Sequence, residues 1–307
     1  MTPPRPLDKK DIAAAVAASR SRLGDFQVRY TFRYAYLEAP TGAVEGVFQE
    51  PRPVFDQCKV FLAWRGDAML RMVDWTGPSA LGGGGYTYWS SFDGTRTMYY
   101  NANTPFARVV LGRHENVTET TSMGDGYCGV LHYHPDANAV LPPDEQRIPV
   151  DLLDIVSSDC SIVRPQTELV EGHPCYVVDV MTPWNTRSET LWLDPRRGFL
   201  PVRSQKFDRS KEENCHMEST ITEAVECTGG IWLPVRCTRL VLADGTRHKI
   251  AVGAEDGGGL DIRINTGIEA DFFDLLPRLP PGVPVSDREK GLSWITGIDK
   301  DRGGRAR

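Results

Sequence analysis

Between Phe26 and Tyr36 the chain alternates large and small or polar side chains without a break: Phe26, Val28, Tyr30, Phe32, Tyr34 and Tyr36 on one parity, Gln27, Arg29, Thr31, Arg33 and Ala35 on the other. Successive side chains of an extended strand point to opposite faces, so this pattern predicts a strand of about eleven residues with one face almost wholly aromatic. That is about twice the ordinary strand length. So much large apolar surface is not left in water, and any fold open to this chain must cover it.

The flanking segments suggest the cover. A Pro-rich lead-in ends at Asp8, a helix-capping residue type, after which Ile12, Ala15, Val16 and Leu23 recur at helical spacing, with Gly24 to stop the run. The spacing predicts an amphipathic helix over Asp8 to Leu23, about four turns long. Downstream, apolar runs are separated by short polar turns. Val54 to Trp64 turns at Arg65-Gly66-Asp67 into Ala68 to Trp75, and Tyr86 to Phe92 turns at Asp93-Gly94 into Thr95 to Asn101. Asp-Gly between such runs is a strong hairpin signal.

The series resumes with Ser161 to Leu169, Cys175 to Thr182, Ser188 to Asp194, Phe199 to Asp208, Met217 to Cys227, Ile231 to Ala243 and Arg247 to Gly253. Asp261 to Ile268 and Phe272 to Leu276 complete it before a Pro-rich end. Pro149 opening the run Val150 to Val156 predicts a short second helix. The stretch of about 112–149 carries no period and is expected to be an irregular insertion. Hairpin-like connections throughout imply a mainly β fold with a few helices: an antiparallel sheet of about twelve strands, large enough that it must curl.

Composition removes several classes. The chain has 307 residues, 40% hydrophobic and 25% charged, the profile of a globular protein rather than a disordered or fibrous one. With 35 Lys and Arg against 41 Asp and Glu, the net charge of -6 supplies no basic field for nucleic acid. No apolar run approaches the roughly 20 residues of a membrane-spanning helix. Met1 to Lys10 lacks a secretory apolar core, so the sequence reads as either cytoplasmic or processed. Seven cysteines without a CxxC pair fit small buried residues; a disulfide such as Cys160 to Cys175 or Cys215 to Cys227 stays open.

Common catalytic motifs are missing: GxSxG, HExxH, GxxxxGK[ST] and GxGxxG do not occur in a usable context. The best enzymatic candidate is His132-Tyr133-His134 with Asp136 and Asp144, where two histidines on one strand face have metal-ligand spacing. An ordinary pair of loop histidines explains the same residues, and no catalytic residue, metal or cofactor is assigned.

Two accounts of the aromatic face remain. Either helices fill it as a core, or it is partly open and holds an elongated apolar ligand such as an acyl chain, with tyrosine hydroxyls at the wet end. The residues that would line such a cavity are Phe26, Tyr30, Phe32, Tyr34 and Tyr36, with Phe61 and Trp64 from the next hairpin.

Several segments, in order, resemble a known family. A helix leads into a long aromatic strand; Ser91-Phe92-Asp93-Gly94 leads to Met98-Tyr99-Tyr100-Asn101; and the chain closes on Phe272-Phe273-Asp274-Leu275-Leu276-Pro277 followed by Pro281-Gly282-Val283-Pro284-Val285-Ser286-Asp287. Together these resemble the periplasmic outer-membrane lipoprotein carrier and lipoprotein-sorting proteins. The middle segment, with Leu191-Trp192-Leu193-Asp194-Pro195 and Leu200-Pro201-Val202-Arg203, is similar to the larger bacterial relatives. The resemblance implies one carrier-like domain over 1–307: an incomplete β-barrel with helices covering its concave face, holding acyl chains of a lipid or lipoprotein. It further implies a periplasmic or otherwise extracytoplasmic monomer without catalysis or cofactor, whose partners are lipid or lipoprotein acyl chains and envelope proteins. The alternatives are a structural envelope protein with a filled cavity and a metal-dependent enzyme using the His132/His134 loop.

Overall fold

The computed structural model describes residues 7–36, 56–76, 87–112, 151–181, 187–208, 211–241, 246–252 and 260–297. The His132/His134 loop with Asp136 and Asp144, and all of the expected 112–149 insertion except Gly112, lie outside the described residues. In chain order the elements begin with α1 (Lys9–Arg20), β1 (Asp25–Tyr36), β2 (Asp56–Arg65), β3 (Ala68–Thr76), β4 (Thr87–Phe92), β5 (Arg96–Asn101), β6 (Phe106–Leu111), α2 (Leu152–Ser157), β7 (Ser161–Val163) and β8 (Glu168–Val170). They continue with β9 (His173–Met181), β10 (Arg187–Asp194), β11 (Leu200–Asp208), β12 (Lys211–Cys227), β13 (Ile231–Val241), β14 (Thr246–Val252), β15 (Ile262–Ile264), β16 (Pro284–Asp287) and β17 (Leu292–Ile295). The strands form one sheet that is not closed into a barrel. Among the ladders with described register, only β6 with β16 is parallel.

By internal contacts the chain divides into two compact units. The first comprises Met1–Leu23, Thr31–Phe55 and Gly126–Leu260; the second comprises Gly24–Tyr30, Asp56–Asp125 and Asp261–Arg307. β1 contributes to both.

In the first unit, α1 starts where the sequence predicts. The Asp8 carboxylate accepts a hydrogen bond from the Asp11 N–H at 2.8 Å, satisfying one of the free donors of the first turn. The helix stops at Arg20, earlier than Gly24, because the last turn tightens: the Ser21 N–H donates to Ala17 O and the Leu23 N–H to Arg20 O. α2 is capped by Asp151, whose carboxylate accepts from the Leu153 N–H at 2.9 Å; Pro149, expected to open the helix, lies outside the described residues. Ile12 and Val16 of α1 pack with Leu152, Ile155 and Val156 of α2 over Tyr176, Val178 and Val180 of β9 and Leu191 and Leu193 of β10. The side chains on these strands recur every second residue, so one sheet face is the floor of the helices.

The second unit is a meander, β2 to β6, extended by β16 and β17. Register places Phe61, Met72, Trp89, Tyr100, Ala107, Val285 and Trp294 in one row across seven strands. Ile268, Phe273, Leu275 and Leu279 cover this face.

Three expectations about the strands are corrected. Phe272 to Leu276 is not a strand: 3₁₀ turns at Ala270–Phe273 and Leu276–Arg278 occupy this segment, held by Phe272 N–H to Glu269 O and Leu279 N–H to Leu276 O. Phe273 and Leu275 thereby both face inward although Pro277 cannot donate to a ladder. Ser161 to Leu169 is split into β7 and β8 around Arg164-Pro165, for the same reason. β6, β16 and β17 lie where no strand is expected, and with them the strands among the described residues number seventeen. Neither open disulfide forms, and six cysteines are free thiols. Cys215 and Cys227 both lie on β12, so at about 3.3 Å per residue they are several times too far apart to bond.

Candidate functional site

Along β1, burial follows the predicted parity. Phe26, Val28, Tyr30 and Phe32 are 1%, 0%, 3% and 4% exposed, whereas Arg29 and Arg33 on the other parity are exposed. Tyr34 and Tyr36 continue the strand, and their side chains lie outside the described residues. Phe26 meets Trp64 of β2 with ring centroids 6.0 Å apart and planes tilted by 56°, a favourable offset geometry.

Phe61 does not join them. It lies three residues from Trp64 on the same strand, so the period of two turns it to the opposite face. There the Arg29 guanidinium stacks 4.8 Å from its ring centre, and Phe272 approaches it edge-on at 6.2 Å. The seven residues expected to line one cavity therefore include two, Phe61 and Trp64, on opposite faces of β2. The parity of their positions carried that information.

Sequence reasoning passed over Asp25, which begins β1 and is 5% exposed. One carboxylate oxygen accepts from Thr266 N–H at 2.9 Å and the other from Gly267 N–H at 2.9 Å, with Thr266 Oγ1 and Ile268 N–H completing the shell at 3.2 and 3.4 Å. Arg29 and Asp261 form an ion pair of 3.1 Å in the same region. No local pattern marks Asp25: its partners lie about 240 positions away in the chain.

A cleft lies beneath the C-terminal end of α1 in the first unit. Val16, Ser19, Arg20 and Leu23 form one wall, the turn Arg197–Pro201 another, and Ile231–Leu233 the third. Its free volume is about 40 Å³, against the roughly 300 Å³ or more of a pocket that holds a drug-sized ligand. An acyl chain does not fit here unless α1 shifts. The turn itself is strained: Gly198 and Phe199 have φ of 63° and 61°, and Phe199 is not a glycine. Phe199 keeps this conformation by stacking on Tyr176 at 5.9 Å, nearly parallel. The Asp194 carboxylate accepts from the Arg196 N–H at 2.9 Å and closes the turn from below.

A polar cluster ties β8, β9 and β10 to the turn after β7. Arg164 forks onto Asp179 at 2.7 and 2.8 Å and reaches Glu168 at 2.6 Å, while Glu168 accepts from Trp192 Nε1 at 2.9 Å. Burial lifts Asp179, but hydrogen bonds from Arg164 and Thr190 outweigh it and hold the carboxyl below its usual range. Burial pushes the thiols of Cys58, Cys175 and Cys237 up to about 12, which leaves them neutral and unreactive at physiological pH. Among the described residues, no group of three or more His, Cys, Asp and Glu gathers around a potential metal position. No described helix is long and apolar enough to cross a membrane.

No family model and no curated protein matches the chain. Among solved structures, a DUF1329 family protein from Desulfovibrio piger is similar with a TM-score of 0.50 at 12% identity, over 89% of this chain and 98% of that one. A "putative outer membrane lipoprotein-sorting protein domain" from Vibrio parahaemolyticus aligns with a TM-score of 0.48 at 13% identity, over 87% of this chain and 97% of that one. At such identities the likeness concerns the fold, and the fold of this chain is that of the Desulfovibrio piger protein.

Proposed function

We propose that this protein is a non-enzymatic carrier or sensor of acyl chains in the bacterial cell envelope, taking a lipid or the lipid anchor of a lipoprotein against the aromatic row of β1. The observation that carries the reading is that row: Phe26, Tyr30 and Phe32 are buried to within a few per cent on a strand of a sheet that is not closed into a barrel. The ordered resemblance of the chain's segments to lipoprotein carriers supports the same reading and suggests the extracytoplasmic location, the monomeric state and the single-domain organisation. Burying about ten methylenes contributes roughly 8 kcal/mol before ordering costs, enough for micromolar affinity without any polar contact.

A second reading has its own observation. Side chains buried this completely, with Phe26 against Trp64, also describe a filled core, and a structural envelope protein would look the same. Titration with a fluorescent fatty acid and with its methyl ester separates the two. The carrier binds both saturably. Tyr30→Asp, which places a charge on the dry face, abolishes uptake, while Arg33→Ala on the exposed face does not. Absence of saturable binding by the folded wild type defeats the carrier reading in favour of the structural one. Equal binding by folded Tyr30→Asp shows that the ligand lies elsewhere.

A further inference from the structure

The turn that joins β10 to β11, residues 194–199, gathers several local costs. Gly198 and Phe199 are both left-handed, with φ of 63° and 61°, and a phenylalanine keeps that conformation only where its surroundings hold it. The Asp194 carboxylate is wholly buried. Its Oδ1 accepts from the Arg196 N–H at 2.9 Å, whereas its Oδ2 accepts no hydrogen bond among the described residues and has Arg197 Nε 3.6 Å away. A buried polar atom without a hydrogen bond is a further store of free energy. Directly below, the ladder slips: Trp192 pairs with Arg203 but Leu193 with Pro201, so Val202 is the extra residue of a bulge. The turn therefore stands on a break in the ladder rather than on continuous pairing.

What holds the turn in this form is α1. A Cβ at Gly198 would lie 2.9 Å from Ser19 Oγ, so the helix bears directly on the left-handed pair. Phe199, 8% exposed, joins Ile12 and Val16 in one apolar core and stacks on Tyr176. Arg197, 5.8 Å from the centre of the Trp232 ring, gives the turn a hold that does not run through the helix. The seam is not packed solid, since about 40 Å³ stays free between α1, the turn and the start of β13. α1 has twelve residues, too few to persist as a helix alone in water. Helix and turn thus depend on each other, and all of these residues belong to the first unit.

We propose that α1 and the 194–199 turn form one two-state latch. α1 leaves the sheet only together with the turn, Phe199 gives up its left-handed conformation as it goes, and the Asp194 carboxylate reaches water. Strain held in the closed turn is returned on opening, so the latch opens far more often than the strands beneath it. The proposal concerns the first unit alone and stands whether or not the chain carries an acyl group.

Amide hydrogen exchange on the full chain, without ligand, tests it. An undocked α1 frays, so its amides report the helix; the Phe199 N–H, which donates to the Asp194 carbonyl at 2.9 Å, reports the turn. In the wild type both are expected to open with one constant, within about threefold, and at least about a hundredfold more often than the β9–β10 ladder. Ile12→Ala removes a contact seven residues, about 10 Å along the helix, from Ser19. It should speed exchange at least about tenfold at α1 and at Phe199 alike. Gly198→Ala, which sets a methyl group against Ser19 Oγ, should speed α1 by a similar factor. Adding Ser19→Ala should recover at least about fivefold of that, beyond the roughly twofold slowing that better helix propensity gives Ser19→Ala alone. Faster exchange of α1 but not of Phe199 in Ile12→Ala overturns the latch, and so does opening of either no more often than the ladder. Wild-type exchange of α1 in folded Gly198→Ala overturns it too, as does strict additivity of the two substitutions. Should Gly198→Ala not fold, the Ile12→Ala comparison decides alone. Failure of the acyl reading appears in the ligand titration and leaves these exchange rates untouched.

Discussion

Each unit covers one face of its own strands, and the two covers are made differently. In the first unit the cover is α1 with α2; in the second it is the segment from Ile268 to Leu279, built of 3₁₀ turns. A helix satisfies its own backbone hydrogen bonds, so α1 is held to the sheet mainly by Ile12 and Val16, with Lys9 Nζ donating to the Ser158 carbonyl at 2.8 Å. The strap's 3₁₀ turns bond internally, but its entry is fastened by distant partners. Asp25 takes the N–H groups of Thr266, Gly267 and Ile268, and Arg65 donates to the Ile268 carbonyl. A helix that lifts from its sheet loses apolar contact and the single Lys9 bond, whereas a lifted strap strands backbone polar groups that cost free energy wherever they stay dry. The contrast makes α1 the cover suited to move and the strap the one suited to stay.

The largest test truncates one anchor of each cover. Phe273→Ala under the strap is expected to cost about 4 kcal/mol and Ile12→Ala under α1 about 3 kcal/mol, both from cavities in fully buried positions. Equilibrium denaturation measures these. The ligand readout divides them more sharply. Loosening α1 should speed uptake of the fluorescent fatty acid, and loosening the strap should not. Faster uptake in Phe273→Ala with none in Ile12→Ala would reverse the assignment of the moving cover.

A smaller effect is expected from Asp25→Ala, which removes the acceptor of three backbone donors for a cost of about 2 kcal/mol. Amide hydrogen exchange should accelerate at Gly267 and Ile268 and stay unchanged in α1. Uniform acceleration throughout the chain would mean that Asp25 contributes global stability rather than a local clamp.

The helix-covered half was the more legible in the sequence, for a physical reason. The Asp8 cap, the Ile12/Val16 spacing and the parity of β1 are local patterns, set by 3.6 residues per turn or two per pleat, and all three stand in the structure. The strap is not local. Phe272 to Leu276 has the composition of a strand, and only the distant Asp25 and the sheet face beneath Phe273 make 3₁₀ turns the better choice there. The short strands β16 and β17 escaped for a related reason, since β16 gains its place by pairing in parallel with β6, which no hairpin signal announces. For the candidate site, the burial of Phe26, Tyr30 and Phe32 was readable, and so was the separation of Phe61 from Trp64 had their parity been counted. The cleft under α1 was not, because Arg20 and Arg197 are brought together only by the packing of a helix on a turn far away in sequence.

The finest difference between the two covered faces is polar. Under the helices, β10 alternates so that Glu189 shares its face with Leu191 and Leu193, and Glu189 is 6% exposed. Burial pushes its carboxyl up from the usual range, with the charges of Lys206, its cross-strand neighbour, and Arg239 opposing that rise. For an acid raised in the folded state, both states are protonated at low pH and nothing is lost. As pH climbs past the unfolded value toward the folded one, the unfolded chain ionises first and stability falls. Glu189→Gln keeps the shape and removes the titration, so it is expected to be more stable than wild type at pH 7, by about 1 kcal/mol, the scale on which neutral replacements relieve buried charge. The gap should close as pH drops below the ordinary carboxylate range. Melting curves at pH 3.5 and pH 7 measure it. A Gln variant that is less stable at pH 7 would show that the ionised carboxylate is held there by its cations, and that the helix-covered face, like the strap, is fastened by charge rather than by apolar contact alone.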